Sequence, residues 1–166
     1  GPTFWDKQIE IIEDHVKDAI DKGAKVLVGG KRNPNFDGLY FEPTVLTEVT
    51  HEMKIMKDET FGPIISIMKV SSEEEALMLA NQSHYGLNGN VWTKDLVKGK
   101  KLAQSIETGA CSVNDMAMSY GVNEVPFGGV KESGLGVVNG EEGLLAYAHA
   151  MPIIILSLIH ISEPTR

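Results

Sequence analysis

The sequence predicts an α/β protein with a doubly wound, mostly parallel sheet. Apolar runs of strand length alternate with amphipathic segments of helix length, and this β-α-β-α-β order is typical of parallel strands joined by crossover helices. A capping box at Ser71-Ser72-Glu73-Glu74 marks the start of the first of these helices. The elements are a buried strand at 64–70, a helix ending near 81, a strand at 89–93, a helix at 95–107 and a strand at 110–114.

The flanking segments extend this pattern. Apolar residues recur at steps of three and four between charged ones, which predicts an amphipathic helix over 4–22 that Gly23 ends as a C-terminal cap. A short strand is predicted at 24–28, and another at 39–46, where Pro43 favours an edge position. A final helix is predicted at 141–147, and a last strand begins at Met151. The apolar positions of the first helix are Ile9, Ile12, Val16, Ala19 and Ile20.

Composition excludes several classes of protein. A formal net charge of −8 without a basic stripe argues against nucleic-acid binding. One cysteine excludes an internal disulfide framework and fits a cytoplasmic protein. The five histidines are scattered along the chain, so we expect them to be solvated or lightly packed and predict no metal site. The apolar run at 151–161 is too short and too interrupted to span a bilayer, so we expect no membrane partner.

The chain divides into a domain and a tail. We expect residues 1–155 to form one domain, or part of one, since no repeat or low-complexity linker interrupts them. The abrupt beginning at Gly1, without an initiator methionine, suggests that a longer polypeptide precedes it. Residues 156–166 match the translation of a transposon-end adapter used to prepare sequencing libraries, and we interpret them as a non-native tail.

Three loop-type motifs occur in a fixed order: Asp58-Glu59-Thr60-Phe61-Gly62-Pro63, then Asn81-Gln82-Ser83-His84-Tyr85-Gly86-Leu87, then Pro126-Phe127-Gly128-Gly129-Val130-Lys131-Glu132-Ser133-Gly134-Leu135-Gly136. In this order they resemble the C-terminal part of the catalytic domain of an NAD(P)-dependent aldehyde dehydrogenase, and the resemblance runs from residue 1 to about 155. The two valines Val137 and Val138 depart from the family pattern, which has charged residues after the last motif.

The resemblance implies a reaction. The whole enzyme would oxidise a small-molecule aldehyde to a carboxylic acid with NAD or NADP. A cysteine would form a thiohemiacetal, hydride would pass to the nicotinamide, and water would hydrolyse the thioester with a glutamate as base. The family's cysteine and glutamate motifs lie upstream of this segment, so we expect no catalytic residue here and no activity from the chain alone. A homodimer or homotetramer is implied for the whole enzyme.

Two residues of the first motif are the candidate cofactor contacts. A carboxylate in a tight loop before a strand can accept two hydrogen bonds from a ribose diol. From spacing alone, the preferred interpretation is that Glu59 caps a turn and that Phe61 is an ordinary core residue, because lone acidic loop residues are common. The resemblance implies that Glu59 binds the nicotinamide ribose and that Phe61 lies against the nicotinamide.

The last motif supplies the candidate substrate contact. Phe127 lies between a proline and two glycines, a position better suited to line a pocket than to fill a core. The resemblance implies that Phe127 lines the aldehyde channel. We expect Lys131 to be a surface or interface cation, because the loop lacks the helix and the Lys-Ser/Thr pair of a phosphate-binding loop.

The lone cysteine is a poor candidate for the nucleophile. Cys111 lies in a predicted buried strand without a nearby cation in sequence to lower its pKa, so inert packing is the preferred interpretation. The alternative function is a catalytically inactive truncated protein, or an interaction module that retains the dehydrogenase scaffold.

Overall fold

The computed structural model describes residues 1–116 and 118–155, and the predicted tail 156–166 lies outside the described residues. The chain separates into two compact units, one spanning Gly1–His84 and the other beginning at Tyr85. Each unit has its own helices and strands.

The first unit has a three-stranded sheet and two α-helices. Helix α1 (Asp6–Asp21) precedes strands β1 (Lys25–Val28) and β2 (Thr44–Thr47), and a 3₁₀ helix (Lys54–Met56) leads to strand β3 (Ile64–Ile67) and helix α2 (Glu73–Asn81). The strand order is β1-β2-β3, with β1 antiparallel and β3 parallel to the central strand. The sheet is therefore mixed.

The core of the first unit lies between α1 and the central strand. Four apolar residues of the helix, Ile9, Ile12, Val16 and Ala19, are buried, as the periodicity predicts. Leu46 of β2 and Met53 are fully buried in a cluster with Ala19. Gly23 has a φ of 100° and donates its N–H to the Ile20 carbonyl at 2.9 Å, which confirms the predicted C-terminal cap.

The second unit is built around a β-α-β crossover. Strands β5 (Asn88–Val91) and β6 (Ala110–Val113) are parallel neighbours joined through helix α3 (Leu96–Ala103), as predicted. Asp95 caps α3 by accepting a 3.0 Å hydrogen bond from the Lys98 N–H. The remaining elements are β4 (Tyr85–Gly86), α4 (Met118–Gly121), β7 (Val130–Lys131) and α5 (Gly140–Leu145), with β4 antiparallel to β7.

The α/β class and the alternation of helices and strands are confirmed. The described residues, however, form three separate sheets and not one doubly wound sheet, and two of the three have only two strands. Ser72 caps the N-terminus of helix α2, where its side chain accepts a hydrogen bond from the Glu75 N–H. In return, the Glu75 carboxylate accepts a 2.6 Å hydrogen bond from the Ser71 N–H.

Three local predictions were wrong. The strand after Pro43 is central rather than an edge, because the proline precedes Thr44 and its missing N–H is not needed in the ladder. Strand β3 alternates half-buried and exposed residues, and Ile65 is 63% exposed, because only one face of the strand packs against the core of this unit. Residues 151–155 are not in a strand, since no described segment pairs with them.

Among the residues that the structure describes, no helix is long and apolar enough to cross a membrane.

Candidate functional site

The first candidate site is the loop Asp58–Pro63, which enters strand β3. Glu59 is exposed, and the Phe61 ring is 70% exposed, so neither residue contributes to the core of its unit. Phe61 also has a φ of 48°, a left-handed conformation that costs a residue with a side chain about 1–3 kcal/mol. Such a conformation persists only where neighbouring contacts hold it in place.

Those contacts converge on Thr60, between the two candidate cofactor residues. His15 Nδ1 and Thr60 Oγ1 share a 2.8 Å hydrogen bond, and Gln8 Nε2 donates to the Thr60 carbonyl. Both α1 side chains are polar and buried, at 6% and 7% exposure respectively. Since a buried polar group needs a partner, these hydrogen bonds account for the presence of a histidine and a glutamine inside the unit.

The loop also lies directly against α1 at Gly62. A Cβ placed on Gly62 would approach Ile12 Cγ1 to 2.7 Å, closer than packed atoms allow. Gln8, Ile12 and His15 follow each other at steps of four and three, so they share one face of the helix. That face contacts Thr60 and Gly62, the two loop positions on either side of Phe61.

The same helix holds the segment that leads into the loop. Asp18 accepts a 2.8 Å hydrogen bond from the Lys54 N–H, and Asp14 accepts one of 2.7 Å from Lys54 Nζ. The hydrogen bond to Asp14 raises the pKa of Lys54, whereas the hydrogen bond from Lys22 lowers the pKa of Asp18. Helix α1 therefore anchors this segment at Lys54, Thr60 and Gly62.

Sequence reasoning missed the role of α1 in this site. The expectation that the histidines are solvated or lightly packed was wrong for His15, which is buried. The signal was present in the sequence, because His15 lies three residues after Ile12 and four before Ala19 on the predicted apolar face. A polar residue on such a face indicates a specific internal partner.

The second candidate site, around Phe127, belongs to the second unit. Phe127 and Val138 exchange backbone hydrogen bonds of 2.7 and 2.8 Å, which close the glycine-rich loop on itself. The half-buried Phe127 ring meets the Tyr120 ring edge to face, with centroids 5.3 Å apart. The Val138 backbone thus helps to close this loop.

The charged residue of the glycine-rich loop is at the surface. Lys131 is exposed and pairs with Glu107, with 2.9 Å between Nζ and Oε2. Ser133 ties the same loop to β4, because its hydroxyl accepts a 2.9 Å hydrogen bond from the Gly86 N–H. The side chain of Lys131 is 25% exposed in this ion pair, and its assignment as a surface or interface cation stays a prediction.

Cys111 has the environment of a packed thiol. It lies in β6 and is half-buried rather than fully buried, and burial raises the pKa of its thiol. A raised pKa leaves less of the reactive thiolate at neutral pH, which is the opposite of what a nucleophile requires. In the described part of the chain, no group of three or more His, Cys, Asp or Glu side chains is arranged to hold a metal ion.

The aldehyde dehydrogenase family profile matches residues 1–152, and this chain belongs to that family. Over 165 residues the chain is 41% identical to a Mycobacterium ulcerans protein named, provisionally, as succinate-semialdehyde dehydrogenase [NADP(+)] 2, covering 99% of this chain and 32% of the relative. It is also 43% identical over 143 residues to a 4,4'-diapolycopene aldehyde oxidase of Methylomonas, covering 86% and 26% respectively.

Solved structures of aldehyde dehydrogenases are similar to this chain in fold as well as in sequence. An aldehyde dehydrogenase of Mycobacterium tuberculosis complexed with NAD+ superposes with a TM-score of 0.81 at 41% identity, covering 87% of this chain and 29% of that one. A succinate-semialdehyde dehydrogenase of Burkholderia pseudomallei superposes with a TM-score of 0.80 at 36% identity, over 89% and 30%. The chain thus spans about a third of the length of the relatives it matches.

The structure brings Glu59 and Phe61 together in one anchored loop of the first unit. Phe127 lies in the second unit, in a loop of its own. The roles of these three residues in binding cofactor and substrate remain predictions, as does the position of the catalytic cysteine outside the chain.

Proposed function

We propose that this chain is the C-terminal part of the catalytic domain of an NAD(P)-dependent aldehyde dehydrogenase. The whole enzyme oxidises a small-molecule aldehyde to a carboxylic acid through a cysteine thiohemiacetal, and the nucleophile lies outside this chain. Membership of the family and the relatives with NADP in their names or NAD+ in their crystals support this proposal.

One observation carries the proposal at the level of residues. In the loop Asp58–Pro63, a carboxylate and an aromatic ring are both exposed on either side of a threonine that the protein holds from within. This arrangement fits a sugar diol beside a flat ring. Glu59 would accept hydrogen bonds from the nicotinamide ribose, and Phe61 would lie against the nicotinamide, which supplies the hydride acceptor when the cofactor is bound.

The rest of the chain has supporting roles in this proposal. Phe127 would line the aldehyde channel, with its ring orientation set by Tyr120 and by the bridge to Val138. Cys111 would take no part in the chemistry. We also propose that the whole enzyme is a cytoplasmic homodimer or homotetramer. Residues in the glycine-rich loop, such as Lys131, are candidates for its subunit contacts.

The test uses a restored enzyme, in which residues 1–155 replace the matching segment of the Mycobacterium tuberculosis dehydrogenase. Glu59→Gln keeps the shape of the side chain but replaces a charged acceptor with a neutral one, at a cost of roughly 1–2 kcal/mol. We expect the single-turnover rate of hydride transfer to fall about 5- to 30-fold, the rate equivalent of that energy.

Asp58→Asn is the matched control, because it removes a neighbouring exposed carboxylate that the proposal leaves without a role. It should leave hydride transfer unchanged. An equal rate for the Glu59→Gln variant and the unsubstituted restored enzyme, both folded, would remove Glu59 from the cofactor site.

A further inference from the structure

We propose that His15 and Gln8 are positioning residues that hold Thr60 from the buried face of α1 and so fix the directions of Glu59 and Phe61. The inference rests on the proposed function of those two residues. In this proposal helix α1 affects hydride transfer through Thr60, and neither His15 nor Gln8 contacts the cofactor.

The first argument is burial. Placing a histidine and a glutamine at 6% and 7% exposure inside a small core is costly unless each has a partner. Both meet the same residue, one at its hydroxyl and the other at its carbonyl. A single exposed-loop threonine therefore receives two internal hydrogen bonds, which together restrict both its side chain and its backbone.

The second argument is the backbone of Phe61. Its φ of 48° is disfavoured for a residue with a side chain, so the loop left to itself would relax to another conformation. The preceding residue is fixed by the two hydrogen bonds, and the following residue is fixed because Gly62 lies against Ile12. The ring is thus held in a strained conformation by its neighbours on both sides.

The third argument concerns the atoms that need positioning. Glu59 and Phe61 are exposed, so contacts of their own side chains with the core do not orient them. Precise placement of such groups depends on supporting residues whose own positions are locked by packing and hydrogen bonds. In this unit those supports are Thr60 and the face of α1 that carries Gln8, Ile12 and His15.

The test in the restored enzyme compares Thr60→Val with Thr60→Ser. Valine keeps the shape but removes the hydroxyl, and we expect hydride transfer to slow roughly tenfold, within the hundredfold that a 1 Å misplacement can cause. Serine keeps the hydroxyl and should retain most of the rate. The KM for the aldehyde should change little in either variant, because the loop is proposed to contact cofactor rather than substrate.

A double-mutant cycle tests His15 directly. His15→Phe keeps an aromatic ring but removes the nitrogen that bonds Thr60, so it should slow hydride transfer about as much as Thr60→Val. Combining the two should add little, because both remove the same hydrogen bond. Gln8→Met should slow the reaction independently of them. Additive effects of His15→Phe and Thr60→Val would overturn the proposed contact.

Thr44→Val is the matched control for lost stability. Thr44 is a buried threonine of the first unit, whereas Thr60 is half-buried, and the Thr44 hydroxyl accepts from the Gly30 N–H and donates to the Glu42 carbonyl instead of bonding the loop. It should reduce stability as Thr60→Val does without slowing hydride transfer. Equal slowing by both variants would mean that Thr60 acts only through stability, and the proposal would fail.

Two further readouts separate the possible failures. If Glu59→Gln is silent, the proposed function of the loop fails and the positioning role fails with it. If Glu59→Gln slows the reaction and Thr60→Val does not, only the positioning role is wrong.

Independently of catalysis, amide hydrogen exchange over 57–63 in the 166-residue chain should accelerate in Thr60→Val and not in Thr44→Val. Unchanged exchange in Thr60→Val would overturn the anchoring.

Discussion

At the scale of single residues, the environments of ionisable side chains determine what chemistry they support. Cys111 is the clearest case, because burial raises the pKa of its thiol while a dehydrogenase nucleophile needs an accessible thiolate. The raised pKa argues against Cys111 as a nucleophile. Its location in β6 explains why packing is the better interpretation.

We expect Cys111 to react slowly with iodoacetamide. At about pH 8, near the ordinary pKa of a free thiol, the fraction of thiolate should be lower than in free cysteine, and burial should further restrict access. The rate of alkylation, followed by mass spectrometry of the folded chain, should lie several-fold below that of free cysteine. A rate equal to or above that of free cysteine would show an activated thiol and reopen its assignment.

A second residue-scale prediction concerns the ion pair of Glu13 with Arg32, whose two hydrogen bonds measure 2.6 and 2.8 Å. The hydrogen bond from Arg32 lowers the pKa of Glu13 below its ordinary value of 4.5. Because the folded-state pKa is the lower one, the pair stabilises the fold above about pH 4.5 and loses this effect as the pH falls through the folded-state pKa.

Glu13→Gln should therefore lower the thermal midpoint at neutral pH, and the difference from the unsubstituted chain should vanish in acid. The effect should be small and reduced by salt, because both side chains are about half exposed. Asp37→Asn, at another exposed carboxylate, is the control and should show no such trend. A difference that grows as the pH falls would contradict the assigned direction of the pKa shift.

At the scale of elements, helix α1 organises the first unit. One stretch of its surface packs on Leu46 and Met53 through Ala19. Other side chains of the helix hold the segment that leads to β3, namely Asp14, Asp18 and the face that carries Gln8 and His15. The helix is thus both a core element and the support of the candidate cofactor loop.

Truncating the core beneath α1 should be costly. Leu46 is fully buried in the central strand, so Leu46→Ala should destabilise the first unit by about 2–5 kcal/mol. Leu27→Ala, at a position 61% exposed in the neighbouring strand, should change stability by about 0.5 kcal/mol or less. Urea denaturation of the three proteins measures both values, and similar losses for the two variants would contradict the described core.

The elements also show which features the sequence could predict. Periodicity located α1 and its apolar face, and the crossover of the second unit followed from its alternating pattern. The central position of β2 was missed, because the effect of Pro43 depends on whether it lies inside the ladder or one residue before it. The place of His15 on the apolar face indicated an internal partner, but that this partner is Thr60, 45 residues away, has no signature in local sequence.

At the scale of the whole molecule, the described units leave much apolar surface exposed. The sheet of the first unit exposes Leu27, Val28 and Ile65, and the second unit exposes Val97 and Leu135. Large exposed apolar areas mark surfaces that other protein segments cover. The chain spans about a third of the length of its relatives, and under the proposed function the rest of the enzyme would cover part of this surface.

The most direct measurement is aldehyde-dependent production of NADH or NADPH by the 166-residue chain and by the restored enzyme, followed at 340 nm, the absorbance of the reduced nicotinamide. We expect production by the restored enzyme and none by the chain alone, because the proposed function gives this chain a cofactor-binding loop and leaves the nucleophile to the rest of the enzyme. Aldehyde-dependent production by the chain alone would contradict this assignment. So would a restored enzyme that folds and binds cofactor but produces none.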